Sequence, residues 1–293
     1  MNGAKTLFFM LLMTVLLIVV GGALDYAFAG GGIFFYVFGM IAIAVNFFTY
    51  WFADSIVLRM HGARVVSPQE APTLHALVDR LVARGGLPKP KVCIIPTHIP
   101  NAFATGRNRS RSAVAVTQGL LESLNEEELE GVLAHELAHI KHYDMLLGTI
   151  VACVVGLIAM IGSHARWGLL FFGGRDRNNN PLAIVVILFL AILAPLLAVI
   201  IHGFISRSRE FAADEGGARL SGNPLGLASA LRRIEQQAGR WIQTEEMGNQ
   251  ATAHLYFINH FSLGRGAVRL FSTHPPTEKR IERLLALNAS GRF

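Results

Sequence analysis

Charge is scarce in this 293-residue chain: Asp, Glu, Lys and Arg make up 16% of it against 52% apolar residues, and the mean hydropathy is +0.44. So little charge excludes a solvated, disordered chain, and so much apolar sequence exceeds what one soluble core of this length buries, which leaves a membrane protein. Cysteine is scarcer still. Cys93 and Cys153 share no repeating spacing and the second falls in an apolar run, which argues against both a disulfide framework and a thiolate metal site. Any metal must then be held by His and carboxylate. Acidic residues number 20 against 26 basic ones, a net charge of +6, but the basic residues are spread over two polar segments and form no patch beside stacking aromatics. That distribution fits membrane topology and gives no reason to invoke nucleic acid. Internal repeats and low-complexity tracts are also missing.

Four apolar runs, 6–24, 32–53, 145–163 and 182–205, are long enough to span about 30 Å of hydrocarbon. They divide the chain into two N-terminal transmembrane helices (1–53), a polar segment (54–144), a second pair of spans (145–205) and a second polar segment (206–293). The two polar segments hold ten and twelve Lys and Arg residues, while the 25–31 connection holds none, so both polar segments and both termini are expected in the cytoplasm. The 164–181 connection runs against this rule with Arg166, Arg175 and Arg177, which leaves a shallow or protein-packed hairpin as a second reading of 145–205. Ala27-Phe28-Ala29 has the small residues of a signal-cleavage site. An uncut anchor is favoured because the preceding run exceeds a usual signal core and a second span follows at once.

Ser67-Pro68-Gln69-Glu70 has the form of a capping box ahead of Leu74, Leu77, Val78, Leu81 and Val82, and Gly85-Gly86 ends that helix. Residues 91–95 and 113–117 are β-branched runs that read as strands, with a Gly- and Arg-rich loop expected over 106–111. A further capping box, Asn125 with Glu128, opens a helix whose Leu129, Val132, Leu133 and Leu137 recur at helical spacing.

That helix carries His135-Glu136-Leu137-Ala138-His139. Two imidazoles four residues apart share a helix face and can grip one Zn²⁺, with Glu136 beside them as general base. A catalytic zinc takes a third protein ligand and keeps one position for water. Glu210, in Arg209-Glu210-Phe211-Ala212-Ala213-Asp214, is the candidate, and Asp214, one turn on, is placed to accept the outer N–H of a zinc histidine. Pairing of Glu210 with Arg207 or Arg209 on a solvated face is the alternative. Two crossings separate His139 from Glu210, and an even number returns the chain to the side it left. The ligands can therefore meet, close to the cytoplasmic membrane surface. In the expected reaction Glu136 takes a proton from the attacking water and delivers it to the leaving amine. His274, in a loop stiffened by Pro275 and Pro276, is either an oxyanion donor or simply a turn histidine. His202, near the end of the fourth run, either ligates or snorkels.

With these residues in place the chain resembles the HtpX family, bacterial membrane-bound zinc endopeptidases related to the prenyl-protein proteases that cut after CAAX modification. The likeness rests on the paired spans, residues 101–106 (Asn-Ala-Phe-Ala-Thr-Gly), His135 to His139, Arg209-Glu210-Phe211 with Asp214, and His274-Pro275-Pro276. It implies one zinc per chain on His135, His139 and Glu210, Glu136 as catalytic acid/base, and a cleft near Asn101 with an edge strand for extended substrate. It further implies a mainly α membrane protein of four transmembrane helices with a cytoplasmic α+β, zincin-like (gluzincin-type) protease domain. Its setting would be the bacterial inner membrane, in stress response and quality control of damaged or misfolded membrane proteins. A non-proteolytic zinc scaffold or transporter is the alternative. Glu136 argues against storage, and the near absence of ionisable residues at span centres argues against transport.

Overall fold

The computed structural model describes residues 31–144, 207–241, 275–291 and 293, together with scattered positions between 7 and 26. The expected spans 145–163 and 182–205, the 164–181 connection, His202 and His274 lie outside the described residues. The chain divides into two units, Met1–Phe52 with Ile150–Ile201, and Ala53–Thr149 with His202–Phe293.

Helix α1 (Ile33–Met60) contains, over Ile33–Phe52, the one stretch among the described residues long and apolar enough to cross a membrane. This matches the second expected span, although the helix continues to Met60, with no Gly or Pro between Ala53 and Met60 to stop it. Its N-terminus is capped at a distance in sequence: the Asp25 carboxylate accepts from the N–H groups of Gly32, Phe34 and Phe35 at 3.2, 3.1 and 2.6 Å. These donors have no partner within the helix, and a carboxylate suits the positive end of its dipole. Asn46 also donates to Thr14 Oγ1 at 2.7 Å, a polar contact between the first two apolar segments.

The second unit carries β1 (Arg64–Val65), α2 (Pro72–Gly85), β2 (Lys91–Ile95), β3 (Ala102–Asn108), β4 (Arg111–Thr117), α3 (Gln118–Ser123), α4 (Glu126–His142), α5 (Arg207–Ser221), α6 (Pro224–Trp241) and α7 (Thr277–Ser290). The sheet order is β1-β2-β4-β3, with β2 parallel and β3 antiparallel to β4, so β3 forms one edge.

The strands at 91–95 and 113–117 agree with the sequence reading, but the loop over 106–111 does not. β3 runs through Asn108 and β4 begins at Arg111, leaving only Arg109 and Ser110 at the turn. Gly106 marks a register shift within the hairpin rather than a loop: its φ is +142°, and a Cβ there would lie 2.3 Å from the Arg111 carbonyl oxygen. The Ser67–Glu70 box also exists, with Glu70 Oε2 accepting from the Ser67 N–H at 2.7 Å. It closes a separate turn. Pro72 bars Ala71 from helical geometry (φ −138°, ψ 64°), so α2 starts at Pro72, and it ends at Gly86 in the left-handed region.

Helix α4 sits at the centre of this unit, packed against α2, α5, α6 and β3. Asn125 caps it reciprocally with Glu128: Asn125 Oδ1 accepts from the Glu128 N–H at 2.9 Å, and Glu128 Oε2 accepts from the Asn125 N–H at 3.0 Å. Such a cap is worth about 1 kcal/mol. Glu128 is itself buried and accepts from Ser229 Oγ at 2.6 Å and Arg233 Nε at 3.1 Å, pinning α6 to the start of α4. Leu133, Leu137 and Ile140 of α4 enter one core with Leu77 and Leu81 of α2, Val114 and Val116 of β4, and Leu227, Leu231 and Ile234 of α6. At about 25 cal/mol per Å² of apolar surface removed from water, these side chains supply the main force holding α4 rigid.

Candidate metal centre

Helix periodicity puts His135 and His139 on one face of α4, and Glu210 and Asp214 on one face of α5. The two helices approach closely because residue 217 is glycine: a Cβ there would come within 2.9 Å of the His135 backbone nitrogen. The facing stripes therefore meet, and all four side chains are largely buried.

The His135 and His139 Nε2 atoms lie 3.2 Å apart, and Glu210 reaches them through Oε2 at 3.7 Å and Oε1 at 3.6 Å, respectively. One ligand atom from each of the three residues lies within 4.8 Å of the others. Two nitrogens bound to a tetrahedral zinc at their usual lengths stand about 3.3 Å apart, so the donor set fits this ion without rearrangement.

The electrostatics lead to the same place. Burial alone depresses the His139 pKa, but the Asp144 hydrogen bond and the charges of Glu210, Glu136 and Asp144 outweigh it and raise it to about 9. These carboxylates favour positive charge at this point, which a divalent ion supplies. His135 is lowered to about 4, mainly by burial, and so keeps the neutral imidazole that a metal needs.

Around the three candidate ligands, His135 Nδ1 lies 3.0 Å from Asp214 Oδ1, the outer contact expected of Asp214. Asp214 is gripped in turn by Arg280 of α7, with Nη2 donating to Oδ1 at 2.7 Å and Nε to Oδ2 at 3.0 Å. Burial raises the Asp214 pKa, but the Arg280 guanidinium and these hydrogen bonds prevail and hold it at about 2. Arg280, 1% exposed, escaped the sequence reading. Its signal was a cation on the buried stripe of α7, between Thr277 and Leu284.

Glu136, about 100° round α4 from His135, is directed toward β3. Its Oε2 accepts the Ala104 N–H of β3 at 2.8 Å, so that donor points away from β4, on the side of β3 that no other described strand pairs. Asn101 is buried just before β3, tied through its backbone to Thr117: its N–H donates to Thr117 Oγ1 at 2.8 Å and its carbonyl accepts from the Thr117 N–H at 2.9 Å. It anchors the start of the edge strand. His274 lies outside the described residues.

A buried imidazole pair closed by a carboxylate from a second helix, with a further glutamate between the imidazoles, defines a metallopeptidase-type centre. Residues 68–288 match Peptidase family M48. Similar proteins include a Protease HtpX homolog of Pyrococcus furiosus, 53% identical over 83% of each chain, and one of Salinibacter ruber, 51% identical over 97% of each. Another, from Thermococcus kodakarensis, is 51% identical over 94% of this chain and 92% of its own. The chain belongs to Peptidase family M48, a metallopeptidase family, and within it is similar to the HtpX proteases. The crystal structure of S. mikatae Ste24p aligns with a TM-score of 0.48 at 17% identity, covering 94% of this chain and 67% of that one, a likeness too slight to build upon.

Proposed function

We propose that this protein is a membrane-embedded zinc endopeptidase, with His135, His139 and Glu210 as metal ligands and Glu136 as the acid/base. The observation that carries the reading is the convergence of these three donors at zinc spacing with Glu136 held beside them by the Ala104 amide. When bound, zinc supplies Lewis acidity, polarising the scissile carbonyl and acidifying water.

The protein's own residues do the rest. Glu136 removes a proton from the attacking water and returns it to the leaving amine, and the Ala104 N–H, donating to Oε2, orients the carboxylate for that transfer. Asp214 orients His135, and Arg280 keeps Asp214 ionised for that task. β3, the outermost of the described strands and anchored at Asn101, suits an extended polypeptide laid alongside it near the metal. His274 is the reserve candidate for stabilising the oxyanion.

The apolar α1 segment, the three further apolar runs in the sequence and the basic bias of 54–144 and 206–293 support a multi-pass inner-membrane protein. In this reading the four segments of the chain are two spans, a polar segment, two spans and a polar segment, with the site on the cytoplasmic face. Damaged or misfolded membrane proteins are the natural substrates of a protease so placed, which gives it a part in quality control under stress. The test is cleavage of an unfolded polypeptide by the detergent-solubilised chain, with and without a chelator. Chelator-sensitive cleavage restored by zinc supports the reading. Zinc binding without cleavage moves the protein to the scaffold or transporter class.

A further inference from the structure

Both candidate metal histidines turn Nε2 toward each other and Nδ1 outward, and each Nδ1 meets a carboxylate: His135 meets Asp214 at 3.0 Å, and His139 meets Asp144 at 3.4 Å. Each carboxylate in turn faces a guanidinium. Arg280 lies on Asp214 at 2.7 Å, and Arg209 Nη1 lies 3.6 Å from Asp144 Oδ1. The Asp144 side chain is only 9% exposed and that of Arg209 15%, so neither contact is a loose surface pair.

The backbone brings Asp144 to this position at a conformational cost. Five residues beyond His139 on a continuing helix, a side chain would point well away from that ring. Instead α4 stops, and Tyr143 adopts φ 60°, the one non-glycine residue with positive φ among the described residues. Its ring carries the Arg109 guanidinium at 4.4 Å, and Arg109 also donates to the Lys141 carbonyl, so the tip of the β3–β4 hairpin braces the reversal. Strain of this kind persists where the surroundings impose it, commonly at functional sites. Arg209, on the other arm, directly precedes Glu210.

We propose that Asp144 is a positioning residue of the metal centre. It accepts the Nδ1 proton of His139, fixing that ring with Nε2 toward the metal. Through Arg209 it also ties the end of α4 to the start of α5, so that His139 and Glu210 are held in mutual register. The inference rests on the zinc reading above.

The experiment compares zinc affinity, by competition with a chromophoric chelator, for the full-length detergent-solubilised wild type, Asp144→Asn and Arg209→Gln. The visible spectrum of the cobalt(II)-loaded forms and the thermal midpoint of the zinc-free forms are read in parallel. Loss of an outer carboxylate typically weakens metal binding 10- to 100-fold, and that loss is expected for Asp144→Asn with an unchanged zinc-free midpoint and an altered cobalt spectrum. Arg209→Gln should weaken binding less, and the two changes together should cost less than the product of the two. Wild-type zinc affinity in Asp144→Asn overturns the proposal, as does a lowered zinc-free midpoint with affinity intact, which would make Asp144 a structural prop. If the wild type itself binds no zinc, the zinc reading of the site fails first, an outcome distinct from both.

Discussion

The Ala104 amide donates to Glu136 Oε2 at 2.8 Å, joining β3 to the glutamate of α4 that stands between the two candidate metal histidines. One backbone donor thereby aligns the proposed base with the strand on which substrate would lie, so the direction of the cleft and the direction of proton transfer are set together.

Removing that donor alone should separate catalysis from metal binding. Ala104→Pro deletes an N–H that faces away from β4 and lies on an edge strand, where proline is tolerated. A hydrogen bond to a charged group is worth about 1.5 to 3 kcal/mol, so kcat should fall roughly 10- to 100-fold with zinc content unchanged. Steady-state kinetics with metal analysis checks this, and an unaltered kcat would detach β3 from the chemistry.

Glu210→Ala should lose both zinc and activity, whereas Asp214→Ala should keep zinc at 10- to 100-fold weaker affinity. Equal zinc affinity in wild type and Glu210→Ala would remove Glu210 from the ligand set.

Asp214 and Arg280 form a buried pair, so either single removal strands a charge and should cost about 3 to 5 kcal/mol, while Asp214→Leu with Arg280→Met should cost much less than the two singles added. The pair also fixes an acid limit. The Asp214 pKa, about 2 in the folded protein against the ordinary 3.8 of an unfolded aspartate, means that its stabilisation is complete above pH 4 and is lost as pH falls toward 2. Arg280→Met should therefore unfold at a higher pH than wild type in an acid titration followed by circular dichroism. Coincident titrations would contradict the pairing.

Topology is open to a labelling test in a Cys153→Ser background, since Cys93 is buried. A cysteine at Ala29 should react with an impermeant thiol reagent in intact cells, whereas cysteines at exposed Ser110 and Gln236 should not. Labelling at Ser110 from outside would place the centre in the other compartment.

Local signals account for what the sequence revealed. The Asn125–Glu128 box, the spacing of His135 with His139, and that of Glu210 with Asp214 each depend on helical geometry, which a few residues specify. The unforeseen features depend on contacts distant in sequence. Arg280 meets Asp214 across 66 residues, and Ala104 meets Glu136 across 32, in a strand that Gly106 and the arginines around it disguise as a loop. Asp144 was hidden by Tyr143, whose left-handed backbone no residue-type preference would announce. The start of α2 shifted from Ser67 to Pro72 because a proline excludes helical geometry in the residue before it, and here that outweighed a well-formed box.

The central claim is that His135, His139 and Glu210 hold a zinc against which Glu136 moves the proton. The most direct measurement is made on Glu136→Gln, which keeps the shape of the side chain and removes its basicity. Zinc per chain by metal analysis and cleavage of an unfolded polypeptide are read on the same preparation beside wild type. About one zinc per chain is expected in both proteins, and cleavage in wild type only, with the loss in the variant approaching complete inactivation. Full cleavage by the zinc-loaded variant would contradict the claim.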